Sequence, residues 1–259
     1  MDLGIAGKTV LVTASSKGIG KQCALALAAE GARIILCART PERLHAAAEE
    51  VADIAGSDNV LAVPADLGKP EDIDRLCEAG RARFGAIDIL VYIGGSPKRG
   101  GFDAVSEEDL REAFEISVLP AFRLLRNLLP DMRRRQWGRV VTVQSRSVRE
   151  PIPDLLTSVA TRPGVAGMFK YLANEVAADG VLMNVIVPGR INTDRFNKGA
   201  AEASAGAADY VKKKIADIPV GRLGEPEEIA NAVCFLVSAK ASYVNGAALQ
   251  VDGGVVRAI

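Results

Sequence analysis

One stretch of this sequence combines residue types and spacing that point directly at chemistry. After the apolar run Lys8–Thr13 come Thr13-Ala14-Ser15-Ser16-Lys17-Gly18-Ile19-Gly20, and then a helical pattern. Small residues in such a turn let backbone N–H groups approach phosphate, and the N-terminus of the next helix adds the positive end of its dipole. A glycine pair alone says little. Set between a strand and a helix, it points to a dinucleotide whose pyrophosphate lies near Ser15, Gly18 and Gly20. The end of the second strand then selects the ribose, with a carboxylate suiting a free 2′-OH and cations suiting a 2′-phosphate. Here that strand ends Cys37-Ala38-Arg39 with no acid, and Lys17 sits in the turn, so Arg39 and Lys17 favour NADP(H).

Other chemistries are poorly supplied. His45 is the single histidine, so neither a histidine-rich metal cluster nor a Ser/His/Asp triad is expected, and its setting in PERLHAAAEEVA reads as an exposed helix position. Cys23, Cys37, Cys77 and Cys234 lie far apart without CxxC spacing, among apolar neighbours. They read as buried, reduced thiols, and a cytosolic location is expected. The start MDLGIAGKTV lacks a basic region before a long apolar core, and no run approaches the roughly 18 apolar residues of a membrane span. Lys+Arg and Asp+Glu both number 32, which removes any net attraction to nucleic acid or an anionic membrane.

The elements that must position the turn follow from alternation. Short β-branched runs at Lys8–Thr13, Arg33–Cys37, Val60–Pro64, Ile87–Val91, Arg139–Gln144, Leu182–Val187 and Ala248–Val251 are mostly apolar throughout, as in strands covered on both faces. Helical patterns at Ile19–Ala29, Pro41–Ala55, Pro70–Phe84, Glu107–Arg134, Gly164–Ala178 and Glu225–Ser238 separate them. The expected fold class is α/β, a doubly wound parallel sheet of the Rossmann type in a single domain covering 1–259. Residues 192–218, rich in Ala, Gly and Lys, lie beyond the sixth strand and are expected to form a substrate lid. Arg133-Arg134-Arg135 meets the negative end of its helix dipole and needs no ligand.

The chain resembles the short-chain dehydrogenase/reductase family, whose fingerprint in the first turn is TGxxxGxG. Ala14 replaces the family's first glycine, which the turn is expected to accept only with a negative φ. Ala65-Asp66-Leu67 looks like the family's adenine-contacting segment, and Val91-Tyr92-Ile93-Gly94-Gly95 stands at its NNAG motif. Val187-Pro188-Gly189, with Thr193 beyond, matches its PG motif beside the nicotinamide, and PVGRLGEPEEIANAVCFLVS with Val251-Asp252-Gly253-Gly254 resembles the end of 3-oxoacyl-carrier-protein reductases. The resemblance implies cofactor contacts from Thr13, Ser15, Ser16, Lys17, Gly18, Ile19, Gly20, Arg39, Asp66, Leu67, Gly94, Pro188, Gly189 and Thr193. It also implies a homotetramer or dimer packed through Glu107–Arg134 and Gly164–Ala178.

The catalytic positions diverge. The family works with a Ser, a Tyr, a Lys four residues after the Tyr, and an Asn. The resemblance assigns Ser145 to the Ser, Ser158 thirteen residues on to the Tyr, Arg162 to the Lys and Ser117 to the Asn. A phenol titrates near 10 and can be tuned towards neutrality, whereas an aliphatic hydroxyl is a far weaker acid. Arg162 stays protonated and is a poor proton relay. Pro163-Gly164 after Arg162 predicts that the helix starts or kinks near Pro163, leaving Ile152–Arg162 partly irregular. Tyr92 and Tyr210 are alternative phenols with plainer packing roles, and Lys98 and Arg99 could meet an anionic substrate or simply face solvent. Two functions follow: an NADP(H)-dependent oxidoreductase acting on a small molecule with a noncanonical proton source, or a catalytically silent nucleotide-binding protein.

Overall fold

A computed structural model describes residues 2–201 and 206–258. Seven strands pair in parallel in the order β3-β2-β1-β4-β5-β6-β7. They are β1 (Thr9–Thr13), β2 (Arg33–Ala38), β3 (Val60–Pro64), β4 (Ile89–Ile93), β5 (Gly138–Val143), β6 (Val181–Pro188) and β7 (Ala248–Val251). The sheet is doubly wound, as the alternation requires. The chain leaves β1 towards β2 on one side and returns through β4 on the other, so Val10 pairs with both Ile34 and Ile89. A crevice opens at such a switch point beyond the carboxyl ends of the strands.

Helices cover both faces. On one lie α1 (Gly18–Ala29), α2 (Pro41–Ala55) and α9 (Pro226–Val237), contributing Leu27, Leu44 and Val233 to the core. On the other lie α3 (Pro70–Phe84), α5 (Leu119–Arg134) and α6 (Leu156–Val176), contributing Leu76, Leu125 and Phe169. Burial on both faces explains the unbroken apolar strands; every residue of β1 and β5 is buried. The four cysteines are buried and free. Burial pushes the thiols of Cys37, Cys77 and Cys234 up to about 12, so they stay protonated at neutral pH.

Two expectations need correction. The helix expected over Glu107–Arg134 is two: α4 (Glu107–Ser117), started by a Ser106/Asp109 capping box, and α5, with Val118 between them. Pro120 in the first turn of α5 has no N–H to continue the ladder of α4. The break expected at Pro163 does not occur, because α6 runs continuously from Leu156 to Val176 with the proline inside it. Pro163 and Gly164 are exposed, whereas Ser158, Arg162, Val165 and Phe169 form the buried stripe. The carbonyl left without an N–H partner thus lies towards water rather than in the core. Residues 192–218, expected to form a lid, carry α7 (Asp194–Ala201) and α8 (Ala207–Ala216); residues 202–205 of that stretch lie outside the described residues.

Among the described residues no helix is long and apolar enough to cross a membrane, and no group of three or more His, Cys, Asp or Glu side chains could hold a metal ion. Because Pro163 sits on the exposed face of α6, Pro163→Ala restores a backbone bond without opening a hole in the core. Urea unfolding should show a gain of about 1–3 kcal/mol, and a loss would mean that the proline is built into the site's geometry.

Candidate active site

The turn after β1 is held from below by two buried hydroxyls. Thr13 Oγ1 accepts from the Ile93 N–H at 2.7 Å and donates to the Ile93 carbonyl at 3.0 Å, tying the turn to β4. Ser15 Oγ accepts from the Cys37 N–H at 2.9 Å, tying it to β2. Both side chains are fully buried, so they hold the turn rather than offer hydroxyls to a ligand. Ala14 adopts φ +51°, which corrects the expectation of a negative φ. The left-handed region costs an alanine roughly 1–2 kcal/mol, which the clamps on either side sustain. Gly18 follows at φ +55°. Gly20 must lack a side chain because a Cβ there would lie 2.4 Å from the Ala14 carbonyl oxygen.

Above this turn the N-terminus of α1 receives no side-chain cap from Lys17, so its first N–H groups remain free for an anion. Ser16 and Ile19 are half-buried at the same rim, and Arg39 stands exposed at the end of β2. Asp66 accepts from the Gly68 N–H at 3.0 Å, which shapes the loop after β3, and Leu67 packs on the core beneath. On the far wall, Gly189 lies so close to Asp252 that a Cβ would sit 2.7 Å from its Cα. Thr193 faces Gly18, with Thr193 Cγ2 3.8 Å from where a Gly18 Cβ would be. Lys17 pairs with Asp194 at 3.3 Å, both side chains exposed. Such a pair is weak, so the lysine remains open to a better anion.

Beyond Pro188 and Gly189 the crevice widens into a cavity of about 600 Å³. Ser145, Ser158 and Arg162 line it, Phe196 and Tyr210 close one side, and Ile152, Pro153 and Leu155 another. The structure therefore brings three of the four assigned catalytic residues together. Ser117 is apart, fully buried, with an Oγ that lacks a partner and a carbonyl that accepts from the Tyr92 hydroxyl at 2.8 Å.

The cavity contacts are specific. Ser145 Oγ accepts from the Ser147 N–H at 3.3 Å, and the hydroxyls of Ser158 and Ser147 lie 3.3 Å apart. The Arg162 guanidinium donates to the Gly95 carbonyl at 2.5 Å and to Gln144 Oε1 at 3.4 Å, leaving its Nε without a partner. Burial lowers the pKa of Arg162 and raises that of the Tyr92 phenol. Gly94 sits between these groups: a Cβ there would lie 2.8 Å from Tyr92 Oη and 3.1 Å from an Arg162 nitrogen. Tyr92 is fully enclosed and cannot reach a ligand in the cavity.

Comparison with known proteins agrees over nearly the whole chain. A family model described as enoyl-(acyl carrier protein) reductase matches residues 13–256. The chain belongs to the short-chain dehydrogenase/reductase family. The 3-oxoacyl-(acyl-carrier-protein) reductase of Escherichia coli is 34% identical over 249 residues, which span 96% of this chain and 97% of that protein. Its counterpart in Aquifex aeolicus is 34% identical over 256 residues, spanning 98% and 100% of the two chains. L-sorbose reductase from Gluconobacter frateurii, crystallised with NADPH and L-sorbose, superposes with a TM-score of 0.95 at 35% identity over 100% of both chains.

Within this short-chain dehydrogenase/reductase, sequence reasoning missed several cavity residues. Gln144, Arg146, Arg190, Arg195 and Arg257 line the cavity without belonging to any family motif quoted above. The one usable signal was their place just beyond β5 and β6 or at the end of the chain. Of the two loop cations singled out, Lys98 is bound to Asp109 of the α4 capping box at 2.6 Å, and Arg99 lines the cavity. Because Tyr92 is the donor to a buried carbonyl, Tyr92→Phe should destabilise the protein by about 1–2 kcal/mol in urea, with the fold intact by circular dichroism. An unchanged stability would mean that this bond contributes nothing.

Proposed function

We propose that this protein is an NADP(H)-dependent oxidoreductase that reduces a carbonyl-type substrate without the phenol its family ordinarily uses. The observation that carries the reading is the crevice itself: an uncapped helix N-terminus, a glycine turn clamped by Thr13 and Ser15, and a cavity opening beside Pro188-Gly189. The residues suit the cofactor. Lys17, Gly18, Ile19 and Gly20 would hold the pyrophosphate, Asp66 and Leu67 the adenine, Arg39 the 2′-phosphate, and Gly94, Pro188, Gly189 and Thr193 the nicotinamide half. NADPH-bound crystal structures of similar proteins, the L-sorbose reductase and an actinorhodin polyketide ketoreductase at TM-score 0.90 and 27% identity over 96% of this chain and 97% of that one, support the choice.

When bound, NADPH supplies the hydride. A carbonyl carbon facing it would take that hydride, and the carbonyl oxygen would need a proton from a source other than a phenol on α6. Ser145 would orient the carbonyl through its hydroxyl, and Arg162 would stabilise the developing negative oxygen by charge. Ser158 offers only a weakly acidic hydroxyl, so the reaction lacks a tuned acid and should run roughly 10²–10⁴-fold slower than with one. Helices α7 and α8 would act as the lid, a reading supported by Phe196 and Tyr210, which line the cavity with their rings 5.8 Å apart. Exposed Phe114, Phe122 and Tyr171 on α4, α5 and α6 support a homo-oligomer, and the buried free thiols suit a reducing compartment such as cytosol.

Fluorescence titration should show NADPH binding more tightly than NADH, and Arg39→Asp should weaken NADPH by roughly a hundredfold while sparing NADH. Binding of neither nucleotide overturns the reading. NADPH binding without its consumption across ketone, acyl-thioester and imine panels would instead favour a silent nucleotide-binding protein. Because α6 is continuous, the double change Ser158→Tyr with Arg162→Lys should raise ketone reduction at least about tenfold. No gain would mean that the cavity cannot seat a phenol at position 158.

A further inference from the structure

The charge around the cavity is lopsided. Among the described residues seven cationic side chains line it against three carboxylates, Glu150, Asp154 and Asp217, although the chain as a whole is neutral. Two of the cations are occupied: Arg146 pairs with Glu150 at 3.1 Å, and Arg190 with Asp217 at 2.9 Å. Arg195 bonds the Ser96 hydroxyl and has no carboxylate partner among the described residues. Among the described residues Arg99 and Arg257 have no hydrogen bond or ion pair, and Lys214 lies 5.3 Å over the Tyr210 ring with no ion pair, its only nearby carboxylate, Asp217, being held by Arg190.

These groups also repel one another. Burial, reinforced by Arg190, Arg99 and Arg146, lowers the pKa of Lys214, and burial with Arg99 lowers that of Arg195. Like charges gathered in a cleft raise its potential and concentrate counter-ions there. An anion entering this cleft would relieve the repulsion and meet donors already in place.

We infer that the substrate is a small carbonyl compound carrying an acidic group, carboxylate or phosphate, which Arg99, Lys214 and Arg257 receive at the mouth of the cavity. This rests on the oxidoreductase reading for the identity of the pocket, but the binding it predicts can be measured without turnover. The unpaired side chains hold the anionic end, and the carbonyl end then extends towards Ser145 and Arg162 on the floor. Recognition through several cations makes affinity strongly salt-dependent.

Calorimetric titrations of malonate, inorganic phosphate and neutral malonamide, each with and without saturating NADPH, test the inference. Malonate or phosphate should bind at least about tenfold more tightly than malonamide, and the tighter of the two identifies the acidic group. Arg99→Gln and Arg257→Gln should each weaken that anion by about tenfold, with the thermal midpoint unchanged to confirm folding. Saturation with NADPH should leave the anion's affinity in place, which separates this cavity from the glycine turn. Equal binding of malonate and malonamide, no binding of either anion at millimolar concentration, or anion binding untouched by both substitutions overturns the inference. Failure of NADPH to bind, with anion binding still sensitive to Arg99 and Arg257, overturns the oxidoreductase reading alone.

Discussion

The crevice depends on hydrogen bonds made by two hydroxyls that never see solvent. At the switch point the backbone must leave β1 in a tight, partly left-handed turn, and nothing in a parallel ladder compels it to do so. Thr13 fastens the end of β1 to Ile93 on one side, and Ser15 fastens the turn to Cys37 on the other. With both neighbours engaged, Ala14 stays at a φ that alanine otherwise avoids, Gly20 packs against its carbonyl, and α1 starts with its N–H groups aimed outward. Removing either hydroxyl would leave buried polar backbone without its partner, which is costly away from water.

The same principle of replacement runs through the catalytic floor. Position 158 of α6 holds a serine at the cavity wall, and a phenol, Tyr92, lies beneath the floor on β4, bonded to the Ser117 carbonyl. Its burial raises the energy of its anion and closes it to substrate, so its role is to fill and to satisfy. Arg162 in turn spans from α6 to Gly95 and Gln144, joining the helix to the loops after β4 and β5. The floor thus holds a buried guanidinium fixed by two acceptors.

Much of the architecture was legible because parallel sheets buried on both faces leave unbroken apolar runs, and those runs are local. The turn at Ser15–Gly20 was legible for the same reason: strand, glycines and helix follow one another directly. Pro163 misled because propensity knows nothing of which face a residue occupies, and only tertiary packing turned that proline towards water. Ala14 misled because its strain is sustained by Cys37 and Ile93, far away in the chain. The cationic cavity was almost silent, since Arg99, Lys214 and Arg257 come from loops and helices separated by many residues and carry no periodic signal.

Gly94 carries an evolutionary consequence. Any side chain there would press on both the Tyr92 hydroxyl and the Arg162 guanidinium, so the three positions cannot drift independently. A lineage that adopted tyrosine at 92 is committed to glycine at 94 for as long as it keeps the ring. Arg162→Lys would relax only one of the two contacts, so the ring at 92 by itself keeps position 94 closed, a constraint set by a few cubic ångströms of missing space.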